Sequence, residues 1–138
     1  MGRYLDEIHR VQIDGREIVM GSWNKMNNAK LKDAHHIYQD KAVENLAGYS
    51  RRKAINVQVQ GPPNKIGTPH YNATLTQTRS KSFGTLGIER NISYRSLRNA
   101  DFTKKQSKYI MRQADLYFEY LGHNANSITK KPGNRRRK

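Results

Sequence analysis

The chain contains no cysteine, so neither disulfides nor thiolate metal sites can hold it together, and nothing in it reports a redox compartment. No stretch approaches the roughly 20 apolar residues of a membrane span. The first ten residues, MGRYLDEIHR, lack the apolar core of a signal peptide, which sets the expectation of a virion or intracellular chain that is not secreted. Asp6 stands where a myristoylation motif after Gly2 would need Ser or Thr. Leu, Ile, Val and Phe together number only 26 of 138 residues. Acids are equally scarce, 11 against 26 Lys and Arg, for a net charge of +15. Little apolar content with high net charge is the regime in which chains struggle to bury enough surface to fold alone. An external partner is therefore expected to order this one.

What charge there is sits unevenly. Residues 1–50 carry seven Lys or Arg and seven Asp or Glu, and the remaining residues hold the whole excess. Such asymmetry suggests one part facing protein and another facing a polyanion.

The strongest local pattern is Thr103 to Gly122. Thr103 and Gln106 fit a capping box, and Gly122 is a suitable left-handed cap. Ile110, Ala114, Tyr117 and Leu121 recur at helical spacing, widened by Phe118 and by Tyr109, Leu116 and Tyr120. The charged face is ordered against the helix dipole: Lys104, Lys105, Lys108 and Arg112 precede Asp115 and Glu119. A partner bearing negative charge would offset that cost. A solvated face that tolerates it is the plainer alternative.

Residues 8–20 predict a β-hairpin turning at Asp14-Gly15, with Trp23 as the expected cover of its apolar side. A second helix is expected over 28–47, with the stripe Leu31, Ala34, Tyr38, Ala42 and Leu46. Ala54 to Gln60 alternates as a half-buried strand, stopped by Gly61-Pro62-Pro63. From Asn72 to Ser82, Asn, Thr and Ser occupy every second position. That pattern predicts a strand with a hydroxyl face, suited either to phosphate contact or to a soluble sheet edge. Ile88 to Leu97 is expected to be another strand, its Tyr94 serving as a stacking platform or in packing. The fold class that follows is α+β: a small mixed domain with an N-terminal β-hairpin, two main helices (about 28–47 and 103–121), short strands between them and a basic C-terminal arm. The domain is expected to run over residues 1–122 and the arm over 123–138.

Chemistry-bearing motifs are few. No G-x-S-x-G, H-E-x-x-H, GxxxxGK[ST] or GxGxxG pattern is present. Within a helix, His35 and His36 would point apart. His36 and Asp40 have ligand spacing, but two ligands do not make a metal site. His70-Tyr71 reads as a lone pair after a proline. These observations predict no catalytic residues, no metal and no cofactor.

The expected nucleic-acid contacts are Arg51, Arg52, Lys53, Arg79, Lys81, Lys104, Lys105, Lys108, Arg112, Lys130, Lys131, Arg135, Arg136, Arg137 and Lys138. The last nine residues read as a phosphate arm, a solubilising tail or a localisation signal. The composition is similar to that of ribosomal proteins and small virion proteins. The expected function is a non-enzymatic structural component of a large nucleoprotein assembly, in the virion interior or beside a portal. Its partners would be DNA or RNA contacted without regard to sequence, together with protein neighbours, and neither a membrane nor a small-molecule substrate. The alternatives are a small regulator or inhibitor that binds a nucleic-acid enzyme, or a ribosomal-type RNA-binding protein.

Overall fold

Asp14 and Gly15 take the positive φ values, 53° and 76°, that a tight two-residue hairpin turn demands. They join β1 (His9–Ile13) to β2 (Arg16–Ser22), with Val11 opposite Ile18 and His9 opposite Met20. A computed structural model describes residues 4, 7–62, 64–79 and 84–129. On its other side β2 pairs with β4 (Ile55–Gln58), and β4 pairs with β3 (Ala34–His36). The sheet is antiparallel throughout, in the order β1-β2-β4-β3. The α+β class, the N-terminal hairpin and the strand beginning near residue 55 agree with the sequence reading.

The helix expected over 28–47 does not form. A short α1 (Trp23–Asn28), capped by Ser22, ends there. Lys30 and Asp33 then turn the chain with φ of 58° and 64°, β3 follows, and one turn of helix, α2 (Asp40–Val43), comes after it. Tyr38, Ala42 and Leu46 are buried as the stripe implied. What the stripe did not convey is that β4 needs a partner for its open edge. Residues 34–36 satisfy its backbone groups, and the ladder is extended by Val59 N–H donating to Asp33 O at 3.0 Å. Trp23 is another correction. It is only half-buried, lies outside the core, and has the Arg51 and Arg52 guanidinium groups 5.3 and 5.5 Å from its ring centre.

Two segments expected as strands are helices. In α3 (Pro69–Arg79), Thr68 Oγ1 accepts the Tyr71 N–H, and Pro69 fills the first position, where no N–H is needed. Two of the hydroxyls that alternate along the sequence fold back onto their own helix. Thr76 Oγ1 donates to Asn72 O at 2.9 Å and Thr78 Oγ1 to Leu75 O at 3.1 Å. The face that α3 buries is His70, Ala73 and Gln77, a helical stripe made mostly of polar residues. Gln77 donates to the carbonyls of His36 and Ile37, which fixes α3 against β3. In α4 (Leu86–Asn99), capped by Thr85, the buried face mixes Leu86, Ile92 and Leu97 with Glu89, Ser93 and Ser96. Small residues let α3 and α4 approach closely enough for Ser96 Oγ to donate to Ala73 O at 2.8 Å.

The helix α5 (Lys104–Tyr120) carries the predicted capping box in full, with both reciprocal Thr103–Gln106 bonds present. Its buried residues Ile110, Met111, Ala114, Tyr117 and Phe118 share one core with Ile18 and Met20 of β2 and Ile55 and Val57 of β4. After Gly122 the chain returns to the start of α4, where Leu86 N–H donates to Ser127 O and Gly87 N–H to Ala125 O.

Candidate active site

Pairing β3 with β4 and docking α3 on β3 bring together residues far apart in sequence. His35 lies on β3 and His70 in the first turn of α3, both about 95% buried. Their rings meet edge to face at 90°, with centroids 5.1 Å apart. His35 Nε2 has no hydrogen-bond partner among the described residues. The Nδ1–H of His70 donates to Gly61 O at 2.9 Å, which leaves Nε2 as the ring's lone pair when the ring is neutral. Gly61 takes φ of +88°, and a Cβ there would lie 2.6 Å from Thr68 Cβ. Only glycine lets the loop close this tightly. Thr68 Oγ1 also donates within the loop, towards Pro62 O and Lys65 O.

His36 follows His35 and leaves the strand on the opposite side. It is half-buried, and its Nε2–H donates to Arg51 O at 3.1 Å, so Nδ1 is its free lone pair. Asn56 faces it across the strand pair, with a buried Oδ1 that has no partner among the described residues.

All three imidazoles are held neutral. Burial, with His70 and His36 adding to it, pushes His35 from 6.5 down to about 3. His36 is lowered by burial, against the Arg51 carbonyl and Asp40, which raise it. His70 is lowered by burial, against the Gly61 carbonyl and Asp33. Neutral imidazoles are the form that binds cations and accepts protons.

The His35–His70 pair suits a divalent cation. Two imidazoles sharing one ion at about 2.1 Å would hold their ring centres roughly 5 Å apart, as they are here. His35 Nε2 is an orphaned buried acceptor, and His70 is oriented by a carbonyl behind it, the usual device for a ligating histidine. Asp33 lies close enough to act on His70 electrostatically. Among the described residues no third His, Asp or Glu completes a cluster, so the chain offers two buried imidazole donors and no closed set of ligands. Imidazole donors favour a borderline transition metal over Mg²⁺ or Ca²⁺. The sequence reading missed this site because it treated His35 and His36 as helical and His70 as isolated.

Of the basic residues expected to meet nucleic acid, Arg51 adjoins His36 through its carbonyl, and the others described lie further along the surface. Arg51, Arg52 and Lys53 are exposed on the turn before β4. Arg51 also stands 3.6 Å from Asp40, and Arg52 donates to Asn24. Arg79 ends α3, and Lys104, Lys105, Lys108 and Arg112 are exposed along α5, with Arg112 paired to Glu119 at 2.9 Å. Lys81, Lys130, Lys131, Arg135, Arg136, Arg137 and Lys138 lie outside the described residues. Among the described residues no helix is long and apolar enough to cross a membrane.

A family model described as Tox-SHH, an HNH/Endo VII superfamily toxin with a SHH signature, matches residues 29–119. No curated protein and no solved structure gives a significant match. The family match overturns the expectation of a non-enzymatic structural virion or assembly protein, because toxins of this superfamily are nucleases. Nucleic acid accordingly stands as a binding partner, and assembly partners are not supported. The matched span begins just before β3 and ends within α5, so it contains all three histidines.

Proposed function

The chain belongs to the HNH/Endo VII superfamily toxins with a SHH signature, and from that premise we propose that it hydrolyses phosphodiester bonds of nucleic acid at His35, His36 and His70. The observation that carries this reading is the edge-to-face His35–His70 pair, 5.1 Å between ring centres, with His36 directly adjacent. Read as residue letters, SHH resembles Ala34-His35-His36, the chain's one adjacent histidine pair, with alanine where the letters have serine.

His35 and His70 would hold a divalent cation. When bound, such an ion stabilises the charge that develops on the phosphate and the leaving oxygen. His36 is the candidate general base. It alone of the three reaches the surface, and its Nδ1 is free to accept the proton of an attacking water. β3 is an edge strand, and a substrate strand lying beside it would meet His36, the half-buried one of the three. The cations Arg51, Arg52, Lys53, Arg79, Lys104, Lys105, Lys108 and Arg112 would hold phosphates without reading sequence. The basic segment from Lys130, and Lys81, would extend the same role.

The test is cleavage of plasmid DNA and of a structured RNA, with Mn²⁺, Zn²⁺ and Ni²⁺ supplied in turn. His36→Ala is expected to reduce cleavage by about 10²–10⁴-fold, the usual contribution of a general base, with thermal stability close to wild type. His70→Ala should abolish cleavage together with the cation-induced rise in melting temperature. Cleavage that survives both substitutions would remove the histidines from the chemistry.

A further inference from the structure

Between α4 and α5 runs a groove of about 720 Å³, lined by Arg90, Asn91, Tyr94 and Arg95 of α4 and by Lys108 and Met111 of α5. Its volume is within the range of specific ligand clefts, about 300–1,000 Å³. The α4 residues form two neighbouring rows, Arg90 with Tyr94 and Asn91 with Arg95, each pair four positions apart, off the face that α4 buries. The floor is apolar: Met111 is buried, and Tyr94 is half-buried against the core. The walls are cationic.

The two acids of α5 are both engaged. Asp115 accepts from Arg90 Nε at 2.7 Å and from Tyr38 OH at 2.6 Å, and Glu119 pairs with Arg112. Arg95 and Lys108 make no ion pair among the described residues. Arg90 is thereby held in a fixed position, and its two neighbours keep their charge free for a ligand. Lys108 also belongs to the basic first half of α5, a placement that the helix dipole disfavours. With no acid in the first turn to compensate, Lys108 gains nothing from the helix dipole.

We infer that this groove binds one nucleotide of an unpaired nucleic-acid strand, its base on Tyr94 and Met111 and its phosphate between Arg95 and Lys108. An aromatic face at the bottom of a cleft is reached only by a base that is already unstacked. Duplex is therefore excluded, whereas single strands use this combination of stacking and cationic walls. That the strand is substrate rests on the hydrolytic reading above. The groove itself does not use the histidines.

The test is fluorescence anisotropy with labelled 12-nucleotide single strands of DNA and RNA and with a blunt duplex, using full-length protein carrying His36→Ala. Tyr94→Ala should weaken single-strand binding roughly 5- to 100-fold, the range for loss of one base stack, and Tyr94→Phe should restore it. Arg95→Gln with Lys108→Gln, both on the surface, should reduce the slope of log affinity against log salt by about 0.7, the value for the one phosphate they share. Duplex binding should be unchanged by Tyr94→Ala and by Tyr94→Phe. Single-strand affinity and salt slope that match wild type in the surface double variant would overturn the inference, as would a loss for duplex in Tyr94→Ala equal to that for single strands. Displacement of the strand by millimolar AMP would overturn it in favour of a free-nucleotide site. If the strand binds as expected while wild type cleaves nothing, the groove stands and the hydrolytic reading falls. Cleavage combined with unaltered binding in the variants gives the reverse.

Discussion

Burying His35 as a neutral imidazole ties stability to pH, and the size of the effect can be worked out. In the unfolded chain the ring titrates near 6.5, and in the fold burial and its two neighbouring histidines bring it to about 3. Between those values the unfolded state binds one proton more than the native state. Stability therefore falls as pH falls, by up to about 1.4 kcal/mol per pH unit. It is fully present above 6.5 and is lost progressively towards 3. Integrating from pH 7 to pH 5 gives a loss of about 2 kcal/mol from His35 alone. His36 and His70, also lowered, add in the same direction. Against a typical domain stability of 5–15 kcal/mol, this is a large fraction. The assay is guanidinium unfolding at pH 7, 6 and 5, for wild type and for His35→Leu, which fills similar space and cannot titrate. Wild type should lose the expected amount at constant m-value, and the variant should lose about 2 kcal/mol less. A variant that keeps the full drop would refute the assignment, and so would a His35 ring whose NMR signals titrate near pH 6.

Two further perturbations test the framework around the site. Thr103→Ala removes the oxygen that accepts the Gln106 N–H and the hydroxyl that donates to Asp14 at 2.6 Å. It should cost about 1–2 kcal/mol and lower Tm by roughly 5 °C without affecting cleavage, and a melt within 1 °C or so of wild type would mean the cap is dispensable. Gly61→Ala forces a side chain into Thr68 at positive φ, so the loop must open and release His70. Cleavage should drop at least tenfold with only about 1–3 kcal/mol of stability lost, and unaltered cleavage would show that the Gly61 carbonyl does not set His70.

Which parts could be read from the sequence follows from where their determinants lie. The helix α5 and the hairpin were legible because their signals are local: a capping box with an apolar stripe, and an Asp-Gly turn between alternating residues. The helices α3 and α4 were not, because the faces they bury contain His70, Gln77, Glu89, Ser93 and Ser96, and polar residues at helical spacing do not register as a core pattern. In α3 the alternating hydroxyls even imitated a strand. Residues 28–47 carried a helical stripe that was overridden by the demand of β4 for a partner. The site was hidden for the same reason. His35 and His70 meet only through the β3–β4 ladder and the docking of α3, and neither is legible without the other.

The atoms that orient the histidines are main-chain carbonyls, Arg51 O behind His36 and Gly61 O behind His70. A carboxylate in that position would raise the basicity of each ring and could be deleted by a single substitution. A carbonyl also raises it, as Arg51 O and Gly61 O do here, but no single side-chain substitution deletes it. The choice of tautomer is thus carried by the path of the backbone, and side chains at 51 can change freely while the rings keep their facing. Robustness of this kind has a particular weakness. Damage to the site would come from a change in the course of the loop, through insertion, deletion or loss of the one glycine, and seldom from exchange of an orienting side chain.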